Sequence, residues 1–208
     1  MTLVKICGIT DLTDARLVAQ LGGDAVGFNF YKKSRRYIAA KAARDIIEQM
    51  GKGPAAFGIF VNESLEVMLQ TARESMIDVI QLHGDETPGY TRQAAERSGL
   101  RVIKAFRLSR ETVPADIDEY KVSGILIDAY EPGTYGGSGK LGDWTAASEI
   151  ASTQSNVYLA GGLKPENVAE AVRVVRPYAV DVASGVESAN GRKDPKRIED
   201  FIRNAKDA

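Results

Sequence analysis

One cysteine and one histidine are all that this 208-residue chain offers toward sulfur or imidazole chemistry. A lone Cys7 closes no internal disulfide, and a lone His83 cannot build a multi-histidine metal centre. Long apolar runs are missing as well, for no stretch approaches the ~20 residues of a membrane span. The N-terminal MTLVKICGIT sets Lys5 where a secretory signal would carry its apolar core, so a cytoplasmic protein is expected. An excess of one charge is absent too. Lys and Arg number 27 against 28 Asp and Glu, so no global field draws the chain to nucleic acid or to an anionic membrane. No linker, low-complexity tract or shift in composition divides the sequence. A length of 208 residues that are 44% apolar suits a single domain over 1–208 with a core that needs no staple.

What is present is a regular alternation. Short apolar, β-branched or aromatic runs fall at 3–6, 24–30, 55–61, 78–83, 101–106, 124–129, 156–161 and 178–184. Helical patterns fill most of the gaps. Leu65, Met68, Leu69, Ala72 and Met76 follow the spacing of one buried helix face, and Ile198, Phe201, Ile202 and Ala205 repeat it. Pro88, Pro165 and Pro195 each stand where a first helical position is expected, with Thr87 and Asp194 as N-caps. Gly22, Gly23 and Gly99 stand where helices should stop. The weakest helix pattern is the short stretch 114–121. Eight strands alternating with about eight helices predict a parallel α/β protein. At about 26 residues per unit the pattern fits a closed (β/α)8 TIM barrel, and an open doubly wound sheet is the alternative.

In such a barrel, chemistry collects where the strands end. Strand 1 delivers Cys7, strand 4 His83, strand 6 Asp128 and strand 8 Asp181. Because side chains alternate, Lys5 shares a face with Cys7, and Gln81 with His83. Cys7 reads either as a small buried hydrophobe or as a thiolate favoured by the nearby Lys5 ammonium. His83 reads either as a hydrogen-bonded structural histidine or as a site residue. Asp128 follows the apolar run Ile125-Leu126-Ile127, so it must be paired, protonated or functional.

Two glycine clusters point to an anion. Gly161-Gly162 follows strand 7, and Ser184-Gly185 follows strand 8. Loops in those places often hold phosphate through backbone N–H groups. The stretch 137–142 formally matches G-x-G-x-x-G, but a loop with Pro132 separates it from its strand, and 156–163 holds no acid where a dinucleotide fingerprint needs one. Nor is it a Walker A loop, since Leu141 stands where Ser or Thr would bind the metal. It reads as a loop that closes over a ligand.

These segments, with others between them, resemble the phosphoribosylanthranilate isomerase family of tryptophan biosynthesis. The resemblance is carried by KICGIT at 5–10, GFNF at 27–30, SRRYI at 34–38, GIFVN at 58–62 and QLHGDE at 81–86. It continues through GGSG at 136–139, Asp143-Trp144, LAGGL at 159–163, DVASGVE at 181–187, Gly191 and Lys193-Asp194. It runs in order from strand 1 to strand 8. The sequence departs from the pattern at Arg35, where the family often has proline, and at Gly142, where an aromatic is common.

The resemblance implies an Amadori rearrangement of N-(5-phosphoribosyl)anthranilate to 1-(2-carboxyphenylamino)-1-deoxyribulose 5-phosphate, without a cofactor or metal. An acid protonates the furanose ring oxygen, the ring opens to a Schiff base, and a base removes the C2 proton. The family's base corresponds to Cys7 and its acid to Asp128. Arg36, or its neighbour Arg35, corresponds to the group that meets the anthranilate carboxylate. Phosphate is expected at Gly161, Gly162, Ser184 and Gly185, with Gly137, Ser138 and Gly139 folding over it. Asp181 is expected at the sugar hydroxyls, and His83 at the substrate without a defined duty. The expected partner is a small phosphosugar, and the chain a monomer or homodimer. Two rivals are a Schiff-base aldolase using Lys104 and a catalytically silent phosphosugar-binding module.

Overall fold

The computed structural model describes residues 1–108, 117–129, 144–189 and 191–208. Eight strands, β1 (Leu3–Cys7), β2 (Ala25–Asn29), β3 (Ala55–Phe60), β4 (Val79–Leu82), β5 (Arg101–Leu108), β6 (Gly124–Ala129), β7 (Val157–Leu159) and β8 (Ala179–Val182), pair in sequence order and close β8 onto β1. Every pairing is parallel. Each expected strand lies within a few residues of its apolar run, and the closed barrel is the architecture found.

Two apolar layers follow from strand alternation. Outward side chains such as Val4, Ile6, Phe28, Ile80, Leu82 and Leu159 form one large cluster against the helices. Inward ones, including Phe57, Ile59, Ile103, Leu126 and Tyr158, fill the lumen. Ala25, Ala105, Ala160 and Ala179 in the same lumen leave room for the two aromatic rings, which meet edge-on with centroids 5.8 Å apart. The lumen is therefore mainly aliphatic and aromatic, with Lys5, Gln81 and Asp181 as buried polar groups on the same inward strand faces.

The outer layer is α1 (Leu12–Gln20), α2 (Ala40–Met50), α3 (Leu65–Ser75), α4 (Pro88–Ser98), α5 (Trp144–Thr153), α6 (Val168–Val175) and α7 (Pro195–Lys206). Thr87 and Asp194 cap as expected, accepting from the Tyr90 and Arg197 amides at 3.3 and 3.0 Å, with Pro88 and Pro195 in the first turn. Two expectations are corrected. Between β5 and β6 the described residues hold one 3₁₀ turn, Ile117–Tyr120, in place of an eighth helix, and residues 109–116 lie outside the description. Tyr120 packs perpendicular to Phe106 at 5.1 Å, which seats this turn against β5. The other correction is α6, which begins at Val168 rather than at Pro165. Asn167 is engaged elsewhere: its Oδ1 accepts from the Lys164 amide at 2.8 Å, and its Nδ2 donates to the Gly162 carbonyl at 3.1 Å. That side chain staples the glycine loop after β7 and delays the helix.

A testable consequence lies at the start of α1. Burial, with Asp11 beside it, pushes the Asp14 carboxyl up to about 6. Between the ordinary carboxylate value near 4 and about 6, the folded protein holds this proton and the unfolded chain does not. Stability therefore falls as pH rises through that window, and the whole penalty is present above it. Asp14→Asn is expected to raise the melting temperature at about pH 7.5 and to leave it unchanged at about pH 4. Melts that shift equally at both pH values would contradict this.

Candidate active site

The C-terminal ends of the strands surround a cavity of about 370 Å³. Cys7, His83, Asp128 and Asp181 all line it, delivered by β1, β4, β6 and β8. So do Arg35, Arg36, Gly161, Gly162, Ser184 and Gly185. Gly137, Ser138 and Gly139 lie outside the described residues, so the expected closing loop is not located.

On one wall, His83 Nε2 lies 3.2 Å from Asp128 Oδ2, and its Nδ1 lies 2.9 Å from Gln81 Nε2. All three side chains are buried. Asp128 is thus paired as its apolar flank requires, and it faces the cavity at the same time.

Across the cavity, β1–β8 closure sets Lys5 opposite Asp181, and the two form an ion pair of 2.9 Å inside the lumen. Burial pulls the Lys5 ammonium down, but the Asp181 carboxylate and Cys7 hold it above its ordinary value. Lys5 pulls the Cys7 pKa down as expected, but it does not prevail. Burial pushes the thiol up and Asp181 adds to this, outweighing Lys5, Lys193 and Arg36. Burial, with the Asp181 charge behind it, prevails over these three cations, so the resting site holds a thiol. Because Cys7 is the sole cysteine, its alkylation against pH reports this directly. The wild-type midpoint should lie above that of a free thiol. Asp181→Asn removes the opposing charge and frees Lys5, so the midpoint should fall. An unchanged midpoint in the variant would refute the account.

Cys7 also has a tailored neighbour. A Cβ at Gly27, its register partner on β2, would come within 2.9 Å of the sulfur and 3.1 Å of Ile59 Cδ1. Gly8 serves Arg36 in the same way. Its φ is +79°, and a side chain there would collide with Arg36 Cδ, whose stem crosses over it.

Arg36 is held in place by Glu187. Its Nε and Nη2 donate to the two carboxylate oxygens at 2.5 and 2.9 Å. Arg35 reaches Oε2 at 2.7 Å, and Lys193 lies 3.3 Å from Oε1. Burial pushes Glu187 up, but bonds from Arg36 and the charge of Lys193 carry it below the usual carboxylate range. Three cations around one carboxylate leave an excess of positive charge beside the cavity. The Arg36 side chain is 14% exposed and the Arg35 side chain 63%, so Arg36 is the one built into the wall. Its other donors remain for a ligand. Glu187 and Lys193 had no role readable from sequence. Their function depends on the β2 loop meeting the segment after β8.

The glycine loops come together as one surface. Gly161 and Gly162 have φ of +87° and +70°, conformations that favour glycine. Gly185 sits in the 3₁₀ turn Ser184–Val186, and a Cβ there would overlap the Leu163 carbonyl oxygen. Arg197 Nε, on α7, donates to the Gly185 carbonyl at 3.0 Å.

Lys104 is not part of this site. It lies on the outward face of β5, between Val102 and Phe106, which pack in the outer layer. Its Nζ donates to the Gly84 and Ala105 carbonyls at 2.7 and 3.0 Å and pairs with Glu86 at 3.1 Å. An amine so enclosed meets no substrate carbonyl, and the aldolase reading fails on geometry.

Comparison with known proteins agrees with the geometry. The family model described as N-(5′-phosphoribosyl)anthranilate isomerase matches residues 4–204. The chain belongs to this family. The N-(5′-phosphoribosyl)anthranilate isomerase of Trichlorobacter lovleyi is 50% identical over 208 residues, covering all of both chains. The crystal structure of phosphoribosylanthranilate isomerase from Thermotoga maritima superposes with a TM-score of 0.89 at 42% identity, covering both chains in full. Another structure of the isomerase, in complex with reduced 1-(o-carboxyphenylamino)-1-deoxyribulose 5-phosphate, is 41% identical with a TM-score of 0.86 over the full length of both. The protein is an isomerase of tryptophan biosynthesis that converts phosphoribosylanthranilate by an aldose-to-ketose rearrangement. No helix among the described residues is long and apolar enough to cross a membrane.

Proposed function

We propose that Cys7 and Asp128 are the base and the acid of this isomerisation, working from opposite sides of one cavity. The observation that carries the reading is their placement on β1 and β6 around the same space, with the glycine loops after β7 and β8 completing its rim. The phosphate of the substrate is assigned to backbone N–H groups around Gly161, Gly162, Ser184 and Gly185. The anthranilate carboxylate is assigned to Arg36, whose orientation Glu187 fixes before a ligand arrives. These two anchors hold the ribose between thiol and carboxyl, with Asp181 and His83 at its hydroxyls.

The chemistry follows from that pose. Asp128 delivers a proton to the furanose ring oxygen as the C1–O bond breaks, and the anilino nitrogen forms the C=N bond of the Schiff base. Cys7 then takes the C2 proton, and the electron pair moves into the enolamine. The enolamine tautomerises to the ketone. A thiol at rest must first become a thiolate. Cationic charge from Lys5, Lys193 and Arg36 already opposes burial at the sulfur, so the iminium charge of the bound intermediate supplies the remaining pull.

A substrate deuterated at C2 of the ribose tests the base. Cys7→Ser should slow turnover by about 10²-fold or more and make C–D cleavage rate-limiting, because an alkoxide is far harder to form than a thiolate. Loss of phosphoribosylanthranilate fluorescence reads the rate. Wild-type turnover in Cys7→Ser would remove Cys7 as the base. Product binding without turnover in the wild type would favour the silent binding module.

A further inference from the structure

We propose that Gln81 is a positioning residue for the isomerisation: its carboxamide orients the His83 ring and, through the ring, the proton on Asp128. The inference rests on the reading of Asp128 as the acid. Gln81 is fully buried in a lumen layer that is otherwise aliphatic at its level, since its register partners on β3 and β5 are Ile59 and Ile103. Its Nε2 meets His83 Nδ1 at 2.9 Å, while its Oε1 has no hydrogen-bond partner among the described residues. A buried carboxamide with half of its capacity unused is a costly choice where the neighbouring strands carry isoleucine.

The unused oxygen makes sense if the ring has two states. With Nε2–H of Gln81 donating to Nδ1, the imidazole carries its proton on Nε2 and donates it to Asp128 Oδ2 at 3.2 Å. That arrangement suits a carboxylate, the form left after the acid has acted. When Asp128 holds a proton against Nε2, the other ring proton must sit on Nδ1, which then needs an acceptor. A half-turn of the carboxamide brings Oε1 to it. The carboxylate state carries one proton on the pair and the acid state two, and the difference is the proton given to the ring oxygen. Isoleucine or methionine at position 81 serves neither state, and glutamate only the second. Cys7 and Asp181 line the same cavity as the ring, and Lys5 is engaged by Asp181.

His83 is the sole histidine, so ¹⁵N-histidine labelling of the untagged chain yields one imidazole to observe. At about pH 8 the wild type should show the Nε2–H tautomer, and Gln81→Met should lose that preference. The same variant should lower kcat by about 10- to 100-fold, with KM and the affinity for reduced product held within about twofold. In a His83→Asn background it should cause no further loss, because its effect runs through the ring. Should Gln81→Met fail to fold, the near-isosteric Gln81→Glu should lock the Nδ1–H form and still lower kcat. An unchanged kcat in a variant that has lost the tautomer preference would overturn the proposal. So would an equal loss in the His83→Asn background, which marks a packing role. Near wild-type turnover in Asp128→Asn would remove the acid assignment, and with it the catalytic meaning of Gln81, while leaving the tautomer result intact.

Discussion

Asp128→Asn should cost the enzyme about 10³-fold in kcat, in the middle of the range that a single general acid contributes, with product affinity changed by no more than a few fold. The substitution leaves the geometry of the site unchanged. Asparagine fills the same volume, and its oxygen can still accept from His83 Nε2, which lies 3.2 Å from Asp128 Oδ2 in the wild type. The buried wall of the cavity therefore survives, and the phosphate and carboxylate anchors on other strands are untouched. What disappears is a proton that can be handed to the furanose oxygen. Without it that oxygen must leave as an alkoxide or wait for a proton from water. The signature is a fall in kcat and kcat/KM together, the pattern for an interaction made only in the transition state. A variant retaining more than a tenth of wild-type kcat would show that another group protonates the ring oxygen.

Alternation along single strands was the legible part of this sequence. It put Lys5 beneath Cys7 and Gln81 beneath His83, and Cys7, Gln81 and His83 line the cavity at the strand ends. It also contained the means to exclude Lys104. Ile103 and Ala105 face the lumen, so the residue between them faces out. What strand patterns do not carry is which residues meet when the sheet closes. Asp181 pairs with Lys5 from 176 residues away, and its charge adds to the burial that keeps the Cys7 thiol up. Glu187 gathers Arg35 and Arg36 from a loop more than 150 residues earlier. Among the described residues between β5 and β6, the weak helical pattern at 114–121 yields one 3₁₀ turn, Ile117–Tyr120, held by an aromatic contact. Local preference gives the elements, and barrel closure gives the charges their partners.

Gly185→Ala should raise KM for the phosphorylated substrate by about 10-fold or more and destabilise the protein by about 2 kcal/mol, with a smaller effect on kcat. The added Cβ would overlap the backbone oxygen of Leu163 and sit 3.0 Å from Val182 Cγ2. A carbonyl in a loop with two consecutive left-handed glycines cannot rotate aside as a long side chain could. Asn167 further fixes that loop through the Gly162 carbonyl, and Arg197 fixes the opposite one through the Gly185 carbonyl. The two loops must therefore part, and the N–H groups assigned to the phosphate part with them. Gly99→Ala supplies the comparison. That residue ends α4 with φ of +69° and has nothing within 4 Å of a new Cβ, so it carries the backbone strain without the collision. Its expected loss is about 1 kcal/mol with KM unchanged. If both variants lose stability and neither moves KM, the seam between the loops after β7 and β8 is a packing feature, and the phosphate is held elsewhere on the rim.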